Sequence, residues 1–439
     1  ASIGQIQELA REMGLPVEKP VSESQWERSY LTVIRRNWHL LPKSQLLVLM
    51  DWTPEQLEFT LVEDDFFYIK LGSLKPKCEP IDFKESLSQL DKEELAEFKN
   101  RLHAVFPDGL PAQKEPFFHF VKELSQQTDL SIDLQRQESM FSPRLAYPYF
   151  ALFGDPLLSP SDDSYPDAYL NKIQSKGVDS IWMHIVLSKI SPFPWDEKQS
   201  KHWEKRLQNL SKLVERASRK GIKIFLYLNE PRNQTAEFFA KYPNLKGSGN
   251  SLCTSKVEVQ QYLTESLALV CEKVPGLGGF FSISASENPT HCWSHNKGSE
   301  CVECGPKGPA KVISSLNNLY IDAINLGFEK LLEKAEKSAE LHIKPKLVVW
   351  DWGWQDGIAE EVLPSLKKDS ISFMSVSEWN LPIKRGGIES QVGEYSISSI
   401  GPGPRASKHW EIAKRNNILC MAKIQANNSW EIGAVPYIP

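Results

Sequence analysis

Hydrophobic residues follow two alternating patterns from about residue 141 to the end of the chain. Short runs rich in β-branched and aromatic residues recur, and each is followed by a stretch with apolar residues three and four positions apart. The first pattern predicts strands of a parallel sheet, and the second predicts amphipathic helices. The predicted strands are residues 145–153, 180–186, 222–229, 279–286, 346–352, 371–377, 395–400 and 419–424.

The helices between these strands have recognisable starts and faces. Trp203, Leu207 and Leu210 recur at helical spacing, which predicts a helix packed against the sheet. Ser255 and Glu258 have the spacing of a capping box and predict the start of a second helix. A third helix is predicted from residue 309.

Eight strand–helix repeats predict the fold class α/β, as a (β/α)8 TIM barrel over residues 141–439. No Gly-x-Gly-x-x-Gly turn follows a strand, which argues against a dinucleotide-binding sheet. Residues 1–140 are expected to form an α+β N-terminal accessory domain, with helices at 2–13, 92–105 and 115–127. The last barrel helix is expected to be missing or to lie beyond the end of the chain.

Composition narrows the classes of function. The 439 residues are 41% hydrophobic and 24% charged, with a net charge of −5 and no long Lys/Arg block, so a nucleic-acid partner is not expected. No apolar run approaches the roughly 18 residues that span a bilayer, so no membrane span is expected. Oligomeric state and cellular compartment are left open by the sequence.

Acidic and aromatic residues concentrate where the predicted strands end, which is the active-site face of such a barrel. Carboxylates can serve as acid, base or nucleophile, and indoles can stack on sugar rings, so a carbohydrate substrate is predicted. The alternative is that single carboxylates cap the helices that follow. The residues concerned are His184, Glu230, Glu287, Asp351, Trp352, Trp354, Glu378, Trp379, Trp430 and Glu431.

Four segments carry a resemblance to a known family. Residues 171–173 and 182–184 (Asn-Lys-Ile and Trp-Met-His), 221–231, 286–293 and 348–350 (Val-Val-Trp) follow one another in the family's order. Residues 141–439 thereby resemble the catalytic barrel of family-20 glycoside hydrolases, the β-N-acetylhexosaminidases. The resemblance rests on the order and spacing of the four segments together.

The resemblance implies roles for individual residues. Glu287 matches the general acid that protonates the glycosidic oxygen, and Arg144 corresponds to an arginine that holds sugar hydroxyls. Trp352, Trp354 and Trp430 would wall the sugar, and Glu431 would bind a hydroxyl. The implied activity is that of an exo-acting hydrolase on β-linked hexose or N-acetylhexosamine residues, with no cofactor required for catalysis.

One departure from the family bears on mechanism. Ser286 stands where the family has the Asp that orients the substrate's acetamido group, and a hydroxyl cannot stabilise a developing positive charge as a carboxylate does. Two mechanisms remain: Glu287 acts with Glu378 or Asp351 as nucleophile or base, or Asp351 polarises an acetamido group. A barrel that binds carbohydrate without cleaving it is the alternative function.

A cysteine cluster follows the fourth predicted strand. Cys292, Cys301, Cys304 and His295 have the ligand types of a zinc site with three thiolates and one imidazole, which would be structural because a closed site leaves no open position for water. The alternatives are a disulfide among these cysteines, with Cys253 as a further partner, or free thiols. A catalytic zinc enzyme is a third function to be weighed.

Overall fold

The structure is a computed structural model of the 439-residue chain. It describes residues 3–15, 29–63, 67, 71, 75–82, 86–109, 141–146, 155, 157–158, 165–284, 288–334, 343–368, 371–375, 382–385, 387–391 and 402–423. The chain divides into two compact units, one made of residues 1–61, 67–128 and 153–155, and one made of residues 62–66, 129–152 and 156–439.

The described part of the first unit is helical. Its helices are α1 (Ile3–Glu12), α2 (Ser29–Asn37), α3 (Lys43–Met50), α4 (Pro54–Glu63) and α5 (Gln89–Val105). The predicted helices at 2–13 and 92–105 correspond to α1 and α5, while 115–127 lies outside the described residues. No strand occurs among the described residues of this unit, so they do not show the expected α+β character.

The core of this unit is small and apolar. Trp38 is fully buried, and the Lys75 ammonium lies 5.4 Å from the centre of its ring. The buried side chains packed together here are Ile34, Trp38, Leu46, Leu57, Leu61, Phe67 and Leu71. A capping box opens α5, since the Asp91 amide donates to Ser88 Oγ and the Ser88 amide donates to the Asp91 carboxylate.

A curled parallel sheet of seven strands organises the second unit as a half-barrel. The strands lie side by side in the order β1, β2, β3, β4, β5, β6, β9, and every neighbouring pair is parallel. Their bounds are β1 Leu145–Ala146, β2 Ser180–His184, β3 Lys223–Leu228, β4 Gly279–Ile283, β5 Lys346–Trp350, β6 Ile371–Ser375 and β9 Leu419–Ala422.

The predicted closed barrel of eight strands is wrong in one respect. Strand β6 pairs directly with β9, with Ser372 opposite Leu419, so no strand from residues 395–400 lies between them. Those residues lie outside the described part of the chain. An antiparallel hairpin, β7 (Pro382–Arg385) and β8 (Ile388–Gln391), precedes them and forms a separate two-stranded sheet.

Helices follow the strands in the α/β alternation that the sequence predicts. They are α6 (Asp167–Ser175), α7 (Trp203–Ser218), α8 (Ala236–Lys241), α9 (Val257–Lys273), α10 (Gly308–Lys334), α11 (Ile358–Ser365) and α12 (Pro404–Arg415), with three short 3-10 turns at Leu187–Lys189, Pro243–Leu245 and Gly298–Glu300. The capping box predicted for α9 is wrong, because Lys256 is the N-cap and Ser255 Oγ contacts Cys304 Sγ instead. None of the described helices is long and apolar enough to cross a membrane.

The two faces of the sheet bury different side chains, as the period of two along a strand requires. On β5, Leu347 and Val349 join the large core beneath the helices, whereas Val348 and Trp350 join a second cluster on the concave face. We call this second set the inner-face cluster: Phe225, Phe281, Ile283, Val348, Trp350, Trp352 and Met374, with Leu145, Trp182, Tyr227 and Met421 packed against it.

Strands β4 and β5 approach too closely for a side chain at the start of β4. Gly279 has φ +153°, and a Cβ added to it would lie 2.1 Å from the carbonyl oxygen of Lys346. Glycine is therefore required where these two central strands begin to pair.

Candidate functional site

The concave face of the half-barrel is lined with aromatic rings. The Trp182 ring stacks on Phe281 at 5.0 Å and on Tyr227 at 5.5 Å between centroids. Trp350 and Trp352 lie 5.1 Å apart at the end of β5, and Trp350 meets Trp182 edge-on at 5.8 Å. Offset and edge-on pairs of this kind stabilise each other, and Trp350 and Trp352 are 2% and 4% exposed.

Cationic and imidazole groups lie beside these rings at the carboxyl ends of the strands. The His184 ring stacks on Tyr227 at 5.2 Å, and His184 Nε2 lies 3.4 Å from Arg232 Nη2. On the other side, the Lys423 ammonium lies 4.5 Å from the centre of the Trp350 ring, within the range of a cation–π interaction. His184, predicted as substrate-binding, thus belongs to this face.

Glu230 lies two residues beyond the end of β3, and its carboxylate binds backbone amides. Its side chain is 1% exposed, and its two oxygens accept hydrogen bonds from the amides of Leu187 at 2.8 Å and Arg232 at 3.0 Å. Burial raises the pKa of Glu230, while the Arg232 charge and these amides lower it. Because both carboxylate oxygens accept backbone amides, Glu230 connects the loop after β2 to the loop after β3. This structural role differs from the substrate-binding role that the sequence predicts.

The loop after β4 is anchored on both sides of residues 285–287. Before them, Ser284 Oγ accepts a 2.7 Å hydrogen bond from the Trp354 indole. After them, Asn288 donates to the Asn229 carbonyl and its carboxamide oxygen accepts from the Asn233 amide at 2.9 Å. Ser284 and Asn288 are both 1% exposed. The chain is therefore held at the carboxyl edge of the central strand immediately before and after these three residues.

Asp351, predicted as a nucleophile or base, is turned away from the concave face. Its carboxylate is fully buried and accepts hydrogen bonds from Ser375 Oγ at 2.5 Å and from the His409 ring at 2.7 Å, and Arg405 lies 3.5 Å away. His409 and Arg405 both belong to α12, on the convex side of the sheet. Asp351 follows Trp350 by one residue, so its side chain takes the opposite face and joins α12 to β5 and β6.

Two further predicted binding residues lie away from the concave face. Trp354 packs in the core beneath the helices, 6.1 Å from the Phe373 ring, so it does not form an open wall. Arg144 precedes β1 and pairs with Asp179, which precedes β2. Arg144 thus lies at the amino ends of these strands, opposite the end where His184 lies, and the structure does not bring it to the candidate site.

Trp352, predicted to wall the sugar, belongs to the inner-face cluster and is 4% exposed. The other predicted residues of the candidate site lie outside the described part of the chain: Glu287, Glu378, Trp379, Trp430 and Glu431.

Four cysteines converge in the loop after β4, and their membership differs from the prediction. The Sγ atoms of Cys253, Cys292, Cys301 and Cys304 all lie within 4.8 Å of one another, and all four side chains are buried. His295 is exposed and does not join them. A hydrogen bond from the Cys253 thiol lowers the pKa of Cys304, while hydrogen bonds with Cys292 and Cys304 raise the pKa of Cys253.

Some residues of the concave face were not predicted from the sequence, although the sequence pattern indicates two of them. Tyr227 lies two residues before Asn229 on β3 and shares the face of Phe225, which a period of two predicts. Arg232 follows the predicted Glu230 by two residues. Lys423 gives no local signal, because it meets Trp350 only through the fold.

Comparisons with known proteins assign no family. No family model matches the chain, and no curated protein matches it. Solved structures that it resembles include a GH138 enzyme targeting pectin rhamnogalacturonan II (15% identity, TM-score 0.35, 59% of this chain and 27% of that one). A second is the GH20 β-N-acetylhexosaminidase of Streptomyces coelicolor A3(2) (10% identity, TM-score 0.31, 58% of this chain and 44% of that one). A third is GH5_18 of Streptomyces cattleya in complex with GlcNAc (13% identity, TM-score 0.33, 55% of this chain and 52% of that one). The chain thus spans about half of these chains or less, and a likeness of this degree carries no conclusion about activity.

Proposed function

We propose that this protein is a glycoside hydrolase, with Glu287 as the general acid that protonates the glycosidic oxygen. The observation that carries the proposal is the anchoring of the chain at Ser284 and Asn288, directly before and after residues 285–287. These anchors lie at the carboxyl edge of the central strand β4, the edge at which half-barrels and barrels of parallel strands carry their chemistry.

The neighbouring strands supply the surroundings that a sugar ring needs. Trp350 and Trp352 follow on one side, and His184, Tyr227 and Arg232 on the other. Aromatic faces favour the apolar C–H surface of a pyranose, and the imidazole and guanidinium groups can donate hydrogen bonds to hydroxyls. A carbohydrate is therefore the substrate class that we propose.

A hydrolase of this kind needs a second catalytic group. Asp351 is turned to α12 and bound there by Ser375 and His409, so we assign the second role to Glu378, which follows β6. Carboxyl groups about 5–5.5 Å apart would give retention of configuration through a covalent intermediate, and about 6.5–9.5 Å would give inversion with a water between them. A third mechanism, in which the substrate's own acetamido group attacks, is less favourable because Ser286 cannot stabilise the developing positive charge as a carboxylate would.

The test is turnover of a panel of nitrophenyl β-glycosides, with and without the 2-acetamido group, by the full chain and by E287Q. Wild type is expected to cleave at least one of them, and E287Q to lose at least 100-fold in kcat, since general-acid catalysis contributes about 10²–10⁴-fold. The matched control is E300Q, which neutralises an exposed glutamate thirteen residues further along and should leave kcat unchanged. Near wild-type turnover by E287Q would overturn the assignment.

A second candidate function follows from Ser286 and from the orientation of Asp351. Ser286 supplies no carboxylate, and the Asp351 carboxylate is turned away from the concave face. A half-barrel that lacks both carboxylates at this face would bind a sugar without cleaving it. Titration of the same panel by tryptophan fluorescence separates the two, because Trp350 and Trp352 lie in the inner-face cluster. Saturable binding with no product over long incubation would favour the binding protein over the hydrolase.

A further inference from the structure

We propose that Cys253, Cys292, Cys301 and Cys304 bind one Zn²⁺ ion in a closed, structural site with four thiolate ligands. The four residues come from three separate segments: one before α9, one after β4 and one before α10. All four side chains are at most 8% exposed, and their sulfur atoms face one another. A metal ion among them would join these segments directly.

The sulfur separations match those of a tetrahedral ion. Four sulfurs at the Zn–S distance of about 2.3 Å lie about 3.8 Å from one another in a regular tetrahedron. Cys253 Sγ lies 3.7 Å from Cys301 Sγ and 3.7 Å from Cys304 Sγ, and no pair among the four exceeds 4.8 Å. This spacing encloses one ion and is too tight for the bridged sulfides of an iron–sulfur cluster.

The backbone around the cluster is shaped to let the sulfurs converge. Cys301 and Cys304 form a C-x2-C pair, closed by a 2.7 Å hydrogen bond from the Gly305 amide to the Cys301 carbonyl. A Cβ on Gly247 would lie 2.5 Å from Cys292 Sγ, so only glycine allows that segment to pass the thiol.

Polar and cationic groups surround the sulfurs as they would a site with net negative charge. Ser255 Oγ lies 3.2 Å from Cys304 Sγ and accepts a 2.9 Å hydrogen bond from the Lys307 ammonium. Such outer contacts orient thiolate ligands and offset the charge of four thiolates on one divalent ion.

Two other interpretations of the cluster fit the geometry less well. A disulfide needs its sulfurs about 2.05 Å apart and could join only two of the thiols at a time, whereas Cys253 is equally close to Cys301 and to Cys304. Thiols buried only as small apolar groups would pack against carbon atoms, without the convergence of four sulfurs on a common point.

The proposed role is structural, and it is independent of the proposed hydrolase activity. Four protein ligands fill a tetrahedral site and leave no position for a catalytic water, which argues against the zinc enzyme considered above. The ion would instead close the chain between residue 253 and residues 292–304, a span that includes the loop carrying residues 285–287.

The experiment is metal analysis by mass spectrometry of the full chain, purified without chelator and under reducing conditions. Wild type is expected to carry about one zinc per chain, and C253A to lose it. H295A should keep its zinc, which distinguishes this ligand set from the set of three cysteines and His295. The matched thiol control is C271A, which removes a buried cysteine of α9 outside the cluster and should also keep the metal.

A second measurement on wild type protects the test against a variant that does not fold. Cobalt exchanged into the wild-type site should give the intense thiolate-to-metal absorption of tetrahedral Co²⁺ with four sulfur ligands, and native mass spectrometry should show one ion. Wild type that carries no zinc, binds no cobalt in this form, or contains a disulfide among the four cysteines would overturn the proposal. So would loss of zinc from H295A with retention by C253A.

Discussion

Glu230 is the residue whose predicted and observed roles can be separated by one substitution. In wild type its two carboxylate oxygens accept from the Leu187 and Arg232 amides, inside a site that is 1% exposed. In E230Q one of these acceptors becomes an NH2 group, so either the Leu187 or the Arg232 amide faces a donor. The shape of the side chain is otherwise preserved, so the substitution changes only its hydrogen bonding and its charge.

The expected loss follows from the two bonds. A buried backbone donor left without an acceptor costs about 1–3 kcal/mol, and a hydrogen bond to a charged acceptor contributes about 1.5–3 kcal/mol. Removing the buried charge returns part of this, because burial opposes ionisation of Glu230. We therefore expect E230Q to lower the free energy of unfolding by about 1–3 kcal/mol.

The assay is urea unfolding followed by circular dichroism, together with amide hydrogen exchange. The control is E329Q, an exposed position on α10, which should change the free energy of unfolding by less than about 0.5 kcal/mol. Exchange at the Leu187 and Arg232 amides should quicken in E230Q and not in E329Q. Equal stability of the two variants, with unchanged exchange at both amides, would refute the role assigned to the Glu230 carboxylate.

Further predictions follow from the same contacts. Burial raises the folded-state pKa of Glu230, so the native state binds more protons than the unfolded state above the ordinary glutamate pKa. The stability of wild type relative to E230Q should therefore fall as pH rises from the ordinary pKa through the raised one. Urea titrations across this pH range check the sign. D351N should lower the free energy of unfolding by about 3–5 kcal/mol, measured by the same titration, because it removes the buried carboxylate charge that both His409 and Arg405 contact. K423M should lower the free energy of unfolding by about 0.5–2 kcal/mol and shift the fluorescence of Trp350, since the Lys423 ammonium lies over that ring.

Much of the sheet could be predicted from the sequence because its strands are buried on both faces. Such strands appear as short apolar runs, and β2 to β6 lie where those runs predict them. The number of strands could not be predicted in the same way. Residues 395–400 have the composition of a strand, but whether β9 pairs with them or with β6 depends on contacts between distant segments, and it pairs with β6.

The candidate site illustrates a different limit. The sequence shows which residues end a strand, and the period of two then decides which side each side chain takes. Trp350 and Trp352 take the concave face and Asp351 the convex one, which the alternation alone would have predicted. Trp354 has the parity of Trp352 yet lies beneath the helices, because the chain turns after β5 with a hydrogen bond from the Trp354 amide to the Asp351 carbonyl. Alternation therefore holds to the end of the strand and fails within the turn.

The described charged groups near the strand ends act mainly on the architecture of the loops. Glu230 joins the β2 and β3 loops, and Asp351 joins β5 to α12. Buried charges bound in this way are poor nucleophiles, because their lone pairs are already engaged and their movement would unfasten the loops. The proposed hydrolysis therefore needs carboxylates other than Glu230 and Asp351. For this physical reason we assign it to Glu287 and Glu378.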